Sequence, residues 1–226
     1  MNPILRKLVI ILCSIVIGLT GSFIVTEALR RTDWFKERTL RQLVTGSPGE
    51  KLHAATLLAE IGAENQLLRA LREKDPTTRE MARRAVEHHW FLAAGPEAFH
   101  EMEAAFRAEE REDFRQALQM LDRLIARHPG YAEAWNRRAS VHWQMGEHEK
   151  SLADCERALL LNPSHYGALQ GKGVCLIKQG KIAEAAGVLR AALRIAPHDT
   201  LTRQALSQCE ELLREKPETQ KASGLI

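Results

Sequence analysis

Residues 132–165 read AEAWNRRASVHWQMGEHEKSLADCERALLLNPSH, and residues 166–199 read YGALQGKGVCLIKQGKIAEAAGVLRAALRIAPHD, two blocks of 34 residues that align without a gap. Pro163 and Pro197 share one position of the blocks, and Pro129 lies another 34 residues upstream. Apolar residues recur at helical spacing and strand patterning is nearly absent, so each block predicts a pair of helices. Counted from Ala132, Trp135 stands at position 4, Ala139 at 8, Gly146 at 15, Ala158 at 27 and Pro163 at 32. Counted from Tyr166, Gly173, Gly180, Ala185, Ala192 and Pro197 fill positions 8, 15, 20, 27 and 32. Small side chains at 8, 20 and 27 let paired helices approach, glycine at 15 ends the first helix, and proline at 32 stops the second.

This pattern resembles the tetratricopeptide repeat (TPR). The resemblance implies an all-α fold, an α-solenoid of helix-turn-helix units. A degenerate unit, 98–131, keeps Ala105, Ala117 and Pro129 at positions 8, 20 and 32 but places Glu112 where glycine would end the first helix. After Pro197, Leu206, Cys209, Leu212 and Leu213 share one face of a segment read as a capping helix, 200–215, followed by a flexible tail, 216–226. In TPR units the first helix lines the concave face through positions 2, 5, 9, 12 and 13. Carried onto this chain, those positions give the expected partner-binding residues Asn136, Ser140, Trp143, Gln144, Gln170, Val174, Ile177 and Lys178, with Glu133 and Gly167 at the remaining two. An apolar centre of Trp143, Val174 and Ile177 ringed by amides and Lys178 suits an extended peptide or a helix. Trp135 is assigned to the core. Co-chaperone TPR clamps grip a terminal carboxylate through Lys, Asn and Arg at fixed positions; here only Asn136 fits, while Gly167 and Gly171 stand where the family has Lys and Arg.

Upstream, Ser47-Pro48-x-Glu50 and Asp75-Pro76 each place a cap residue before a first-turn proline, which starts a helix. Ala54, Ala55, Leu58, Ile61, Gly62, Leu67, Leu68, Ala70 and Leu71 follow a pattern that resembles HEAT-like repeats, so 31–97 is expected to be a HEAT-like helical segment. Such a module also occurs in bilin lyases, which raises the alternative of an accessory subunit of an enzyme. Fold likeness alone carries no chemistry, however.

From Leu8 to Thr26 the chain has no charged residue, a length that reaches across a bilayer core. With Arg6 and Lys7 ahead of it and no small-x-small cleavage site at its end, it is read as an uncleaved signal anchor within residues 1–30. The short basic N-tail favours an extracytoplasmic soluble domain in a single-pass membrane protein. Ser14, Gly18 and Ser22 lie at i+4 steps on one face, a stripe suited to homodimer packing. Trp34 and Phe35 are assigned either to an interfacial anchor or to packing in the first soluble helix.

With 32 basic and 29 acidic residues in 226, the net charge of +3 provides no footprint for nucleic acid. Cys13, Cys155, Cys175 and Cys209 form no C-x-x-C pair and have no histidine at ligand spacing, so no metal site or other cofactor is expected and the thiols are read as small buried residues. No nucleophile elbow, phosphate loop or H-E-x-x-H motif appears, and His88, His89, His142 and His148 are read as structural or solvated. The expected function is therefore that of a membrane-anchored adaptor or scaffold, not an enzyme, which binds a protein or peptide in the concave groove. The co-chaperone type is its alternative.

Overall fold

The computed structural model describes residues 27–222, and everything between Asp33 and Ala222 is built from helices. They are α1 Asp33–Thr45, α2 Pro48–Glu60, α3 Glu64–Ala70, α4 Pro76–Phe91, α5 Pro96–Glu110, α6 Phe114–Arg127, α7 Ala132–Gln144, α8 His148–Leu161, α9 Tyr166–Lys178, α10 Ile182–Ile195 and α11 Thr200–Ala222.

In α1, α2 and α4 local capping chemistry sets the starts, while α3 follows Ala63 with no side-chain cap. Thr32 accepts the Phe35 N–H at 3.3 Å, and Glu50 reaches back to the Ser47 N–H at 2.8 Å with Pro48 in the first turn. Asp75 accepts from the amides of Thr77 and Thr78 ahead of α4, and also takes the Lys51 ammonium, which links the start of α4 to α2. Lys51 further donates to Thr78 Oγ1 at 2.8 Å. Apart from Gly62, which turns the chain after α2 at φ 67°, the residues quoted for the HEAT-like pattern converge in one core with Leu40, Leu43, Val86 and Trp90. The helices do not repeat regularly, however: α3 has seven residues beside the thirteen of α1 and α2 and the sixteen of α4.

From Pro96 onward, helices form the hairpins α5–α6, α7–α8 and α9–α10, each turning through a left-handed residue. Gly146 and Gly180 have φ of 78° and 74°, and Glu112, in register with them, takes φ 59° despite its side chain. Close approach is enforced at Gly173, where a Cβ would come within 2.5 Å of Leu189 on α10. Leu206, Cys209, Leu212 and Leu213 of α11 pack with Leu176 and Leu189, as their shared face predicts, and α11 continues to Ala222. Cys155, Cys175 and Cys209 are buried and unpaired.

The two halves share packing. Tyr166, Ile195 and Ala196 pack against the N-terminal core, and the Tyr131 hydroxyl donates to the Phe91 carbonyl at the end of α4.

Placement in a membrane is corrected. No helix among the described residues is long and apolar enough to cross one. The run Leu8–Thr26 and the stripe Ser14, Gly18 and Ser22, with the dimer read from it, lie outside the described residues. The single-pass, extracytoplasmic localisation is therefore withdrawn. Trp34 is exposed, with the Arg38 guanidinium 5.5 Å above its ring.

Candidate peptide-binding cleft

α7 and α9 run side by side with their first-helix positions facing one cleft of about 560 Å³. Of the eight expected residues, Asn136, Ser140, Trp143, Gln170 and Val174 line it. Asn136 and Gln170 make no side-chain hydrogen bond to another described residue, so both amides are available to a ligand backbone. Trp143 is half-buried, its ring centroid 4.5 Å from that of His148. Gly171 also lines the cleft, and a Cβ there would meet Cys155 Sγ at 2.8 Å, so a larger residue would press α9 away from α8.

The other three residues lie elsewhere. Gln144 is exposed and its Nε2 donates to Glu109. Ile177 packs with the core that α11 completes, because no further hairpin follows α9 and the capping helix covers that position. Lys178 is exposed outside the cleft lining.

Sequence reasoning missed the wall opposite. α4 contributes Arg83, Glu87 and Trp90 to the same cleft. The Trp90 ring is 6% exposed and stacks on His165 at 4.5 Å with an interplanar angle of 22°. Glu87 accepts the Tyr166 hydroxyl at 2.8 Å and an Arg83 hydrogen bond at 2.8 Å.

Beneath this wall lies a buried polar network. His165 Nδ1 accepts the Ala168 N–H at 3.2 Å, capping α9; the ring proton therefore sits on Nε2, which donates to Glu133 Oε2 at 2.8 Å. Arg137 Nε donates to Glu133 Oε1, also at 2.8 Å. Burial pushes the Glu133 carboxyl up, but the His165 ring and the Arg137 guanidinium outweigh it and hold the group below its ordinary value. Burial likewise pushes the Cys155 thiol up to about 12, reinforced by Cys175 and Asp154 nearby. Among the described residues no cluster of three His, Cys, Asp or Glu side chains is arranged to hold a metal ion.

Trp135, expected in the core, is half-buried: its face carries the Arg138 guanidinium at 4.8 Å and its Nε1 donates to the Pro129 carbonyl at 3.1 Å. Arg138 is held by Asp154 through two contacts of 2.7 Å, which raise its pKa further.

Comparison with known proteins rests on the same hairpins. The tetratricopeptide repeat family model matches residues 132–165. A TPR repeat-containing protein of Rhizobium etli is 32% identical over 142 residues, which cover 63% of this chain and 70% of that protein. The chain belongs to the TPR repeat-containing proteins. A second relative, sperm-associated antigen 1 of Mus musculus, is 31% identical over 102 residues, 45% of this chain and 11% of its own length. Among solved structures, the first TPR of Spaghetti (RPAP3), bound to the HSP90 peptide SRMEEVD, has the same fold. Its TM-score is 0.51 at 19% identity, over 52% of this chain and 93% of that one. In the TPR array described here, the concave cleft differs from an open groove in having α4 as a side wall.

Proposed function

We propose that this TPR protein is an adaptor that holds an extended segment of a partner protein in the cleft between α4, α7 and α9. The observation that carries this reading is the pair of unpartnered amides, Asn136 and Gln170, on the cleft that the half-buried Trp143 also lines. Extended backbones need both donors and acceptors along their length, and a side-chain amide offers both. In this reading 31–97 is a helical block that buttresses a TPR array at 98–215, with units at 98–131, 132–165 and 166–199. Ser140 and Val174 line the cleft beside the amides, while Gln144, Ile177 and Lys178 act at most on its periphery.

Peptides selected on the full-length chain from a displayed random library provide the test. The double change Asn136→Ala with Gln170→Ala should weaken their binding by about 10-fold or more at unchanged melting temperature, two lost hydrogen bonds of ordinary strength. Equal affinity for wild type and double variant would reject the cleft as the site.

A second reading, a co-chaperone-type TPR protein that takes an acidic peptide terminus, is favoured by the fold likeness to the Spaghetti repeat with its HSP90 peptide and by Asn136 at the fifth position of its unit. Against it, Gly167 and Gly171 stand where such clamps carry Lys and Arg, and Arg83 in the cleft is already paired with Glu80 and Glu87. Binding of SRMEEVD that disappears when its terminal carboxylate is amidated would establish this second reading.

A further inference from the structure

A second cleft, of about 430 Å³, lies on the other side of Arg137, between α4, α5 and α7. Its apolar lining is Phe91, Phe99 and Phe106. Glu87 and Arg137 line both clefts, so the two define a track that meets at these side chains.

Arg137 is held in place before any ligand arrives. Its guanidinium lies 4.9 Å from the Phe91 ring and 5.3 Å from the Phe106 ring, and its Nε is committed to the buried Glu133, which His165 fixes from the other side. The side chain is 28% exposed, and Nη1 and Nη2 donate to no described residue. The remaining charges on the second cleft are Arg84, tied to Glu80; Arg107, which has no ion-pair partner among the described residues; Glu103, beside His100; and Glu87, already engaged by Arg83 and Tyr166. The unused donors at the junction are thus Arg137 Nη1 and Nη2, and they are flanked by aromatic surface.

We propose that Arg137 is the anchor for an acidic side chain, Asp or Glu, in the interior of the bound partner segment, with neighbouring apolar side chains of that segment seated on Phe91, Phe99 and Phe106. The guanidinium fork matches a carboxylate, and prior fixing by two rings and a buried carboxylate removes the entropy cost of ordering it on binding. The acid is internal because the track continues past Arg137 in both directions, so the partner chain passes through this point instead of ending on it. This inference rests on the cleft reading above and extends it by naming the chemistry of the ligand.

The test selects binders to the full-length chain from a random 12-residue library displayed in two arms, one with a blocked and one with a free C-terminus. Enrichment of an internal Asp or Glu beside apolar residues in the blocked arm is expected. Replacing that acid by its amide in a selected peptide should cost about 10-fold or more in affinity on the wild-type protein. On Arg137→Gln the same replacement should cost less than about 2-fold. Because the amide-for-acid change is made in the peptide, it reads the contact even if Arg137→Gln folds poorly. Binders that lose affinity on Asn136→Ala but show no internal acid, or an acid only at the free C-terminus, would overturn the Arg137 anchor and leave the cleft standing. An empty selection, or binders indifferent to Asn136→Ala, would remove the cleft and the anchor together.

Discussion

The helical block before Pro96 and the array after it are both made of short helices, and both use left-handed residues to end some of them, Gly62 after α2 among them, but they start them by different means. In the block, three of the four starts are written in single residues: Thr32, the Ser47–Glu50 pair and Asp75 each satisfy amides at a helix N-terminus, and only α3, after Ala63, lacks such a cap. In the array, Gly95, Tyr131, Glu147 and Lys181 offer no side-chain cap, with Asp113, His165 and Asp199 as exceptions, and helix ends are fixed by left-handed residues recurring every 34 positions and by close interhelical contacts. The difference teaches that a repeat transfers the job of specifying helix ends from local hydrogen bonds to packing: each hairpin is positioned by its neighbours.

The largest expected effect follows from that transfer. Leu189→Ala, which empties the space over Gly173 and beneath α11, should cost about 3 to 4 kcal/mol, measured by urea unfolding. A loss below about 1 kcal/mol would mean that packing is not what holds the array. Trp135→Ala comes next, at about 2 kcal/mol; the ring is half-buried and lidded by arginines, so the loss falls short of the roughly 3 to 5 of a fully buried aromatic. Glu112→Gly has the opposite sign. Removing the side chain from a residue at φ 59° should raise stability by about 1 kcal/mol, and a decrease would show that the side chain itself matters there.

The smallest effect is one of pH, and it belongs to the block. The Lys51 hydrogen bond, helped by Thr78, holds the Asp75 carboxyl well below its ordinary value of 3.8. A carboxyl depressed on folding stabilises above its unfolded pKa, and that contribution is lost as pH falls through the folded value. The melting temperature of wild type should therefore drop more between pH 5 and pH 2 than that of Asp75→Asn, which keeps the cap acceptor but does not titrate. Parallel curves would assign the ion pair no share in joining α2 to α4.

The same contrast explains what could be read in advance. Array hairpins, their turns and the buried face of α11 were legible because a period repeats each signal, and the starts of α2 and α4 because a cap and a proline are local. Asn136, Ser140, Trp143, Gln170 and Val174 were found by carrying a register from one unit to the next. Ile177 was lost because that register assumes another hairpin beyond α9, whereas α11 covers the position. The α4 wall left no such trace. Its partners, Trp90 with His165 and Glu87 with Tyr166, are joined only by the fold, and neither periodicity nor composition marks a pair so far apart in the chain.

That pairing also bears on how the protein is made. Trp90 emerges from the ribosome 75 residues ahead of His165, on which its ring stacks. At about 5 to 20 residues per second, translation leaves this face of α4 without its partner for roughly 4 to 15 s. Throughout that interval the Trp90 ring lacks its stacking partner, and the core that Tyr166, Ile195 and Ala196 pack against stays open on that side. Completion of the N-terminal half thus waits on synthesis of α9 and α10.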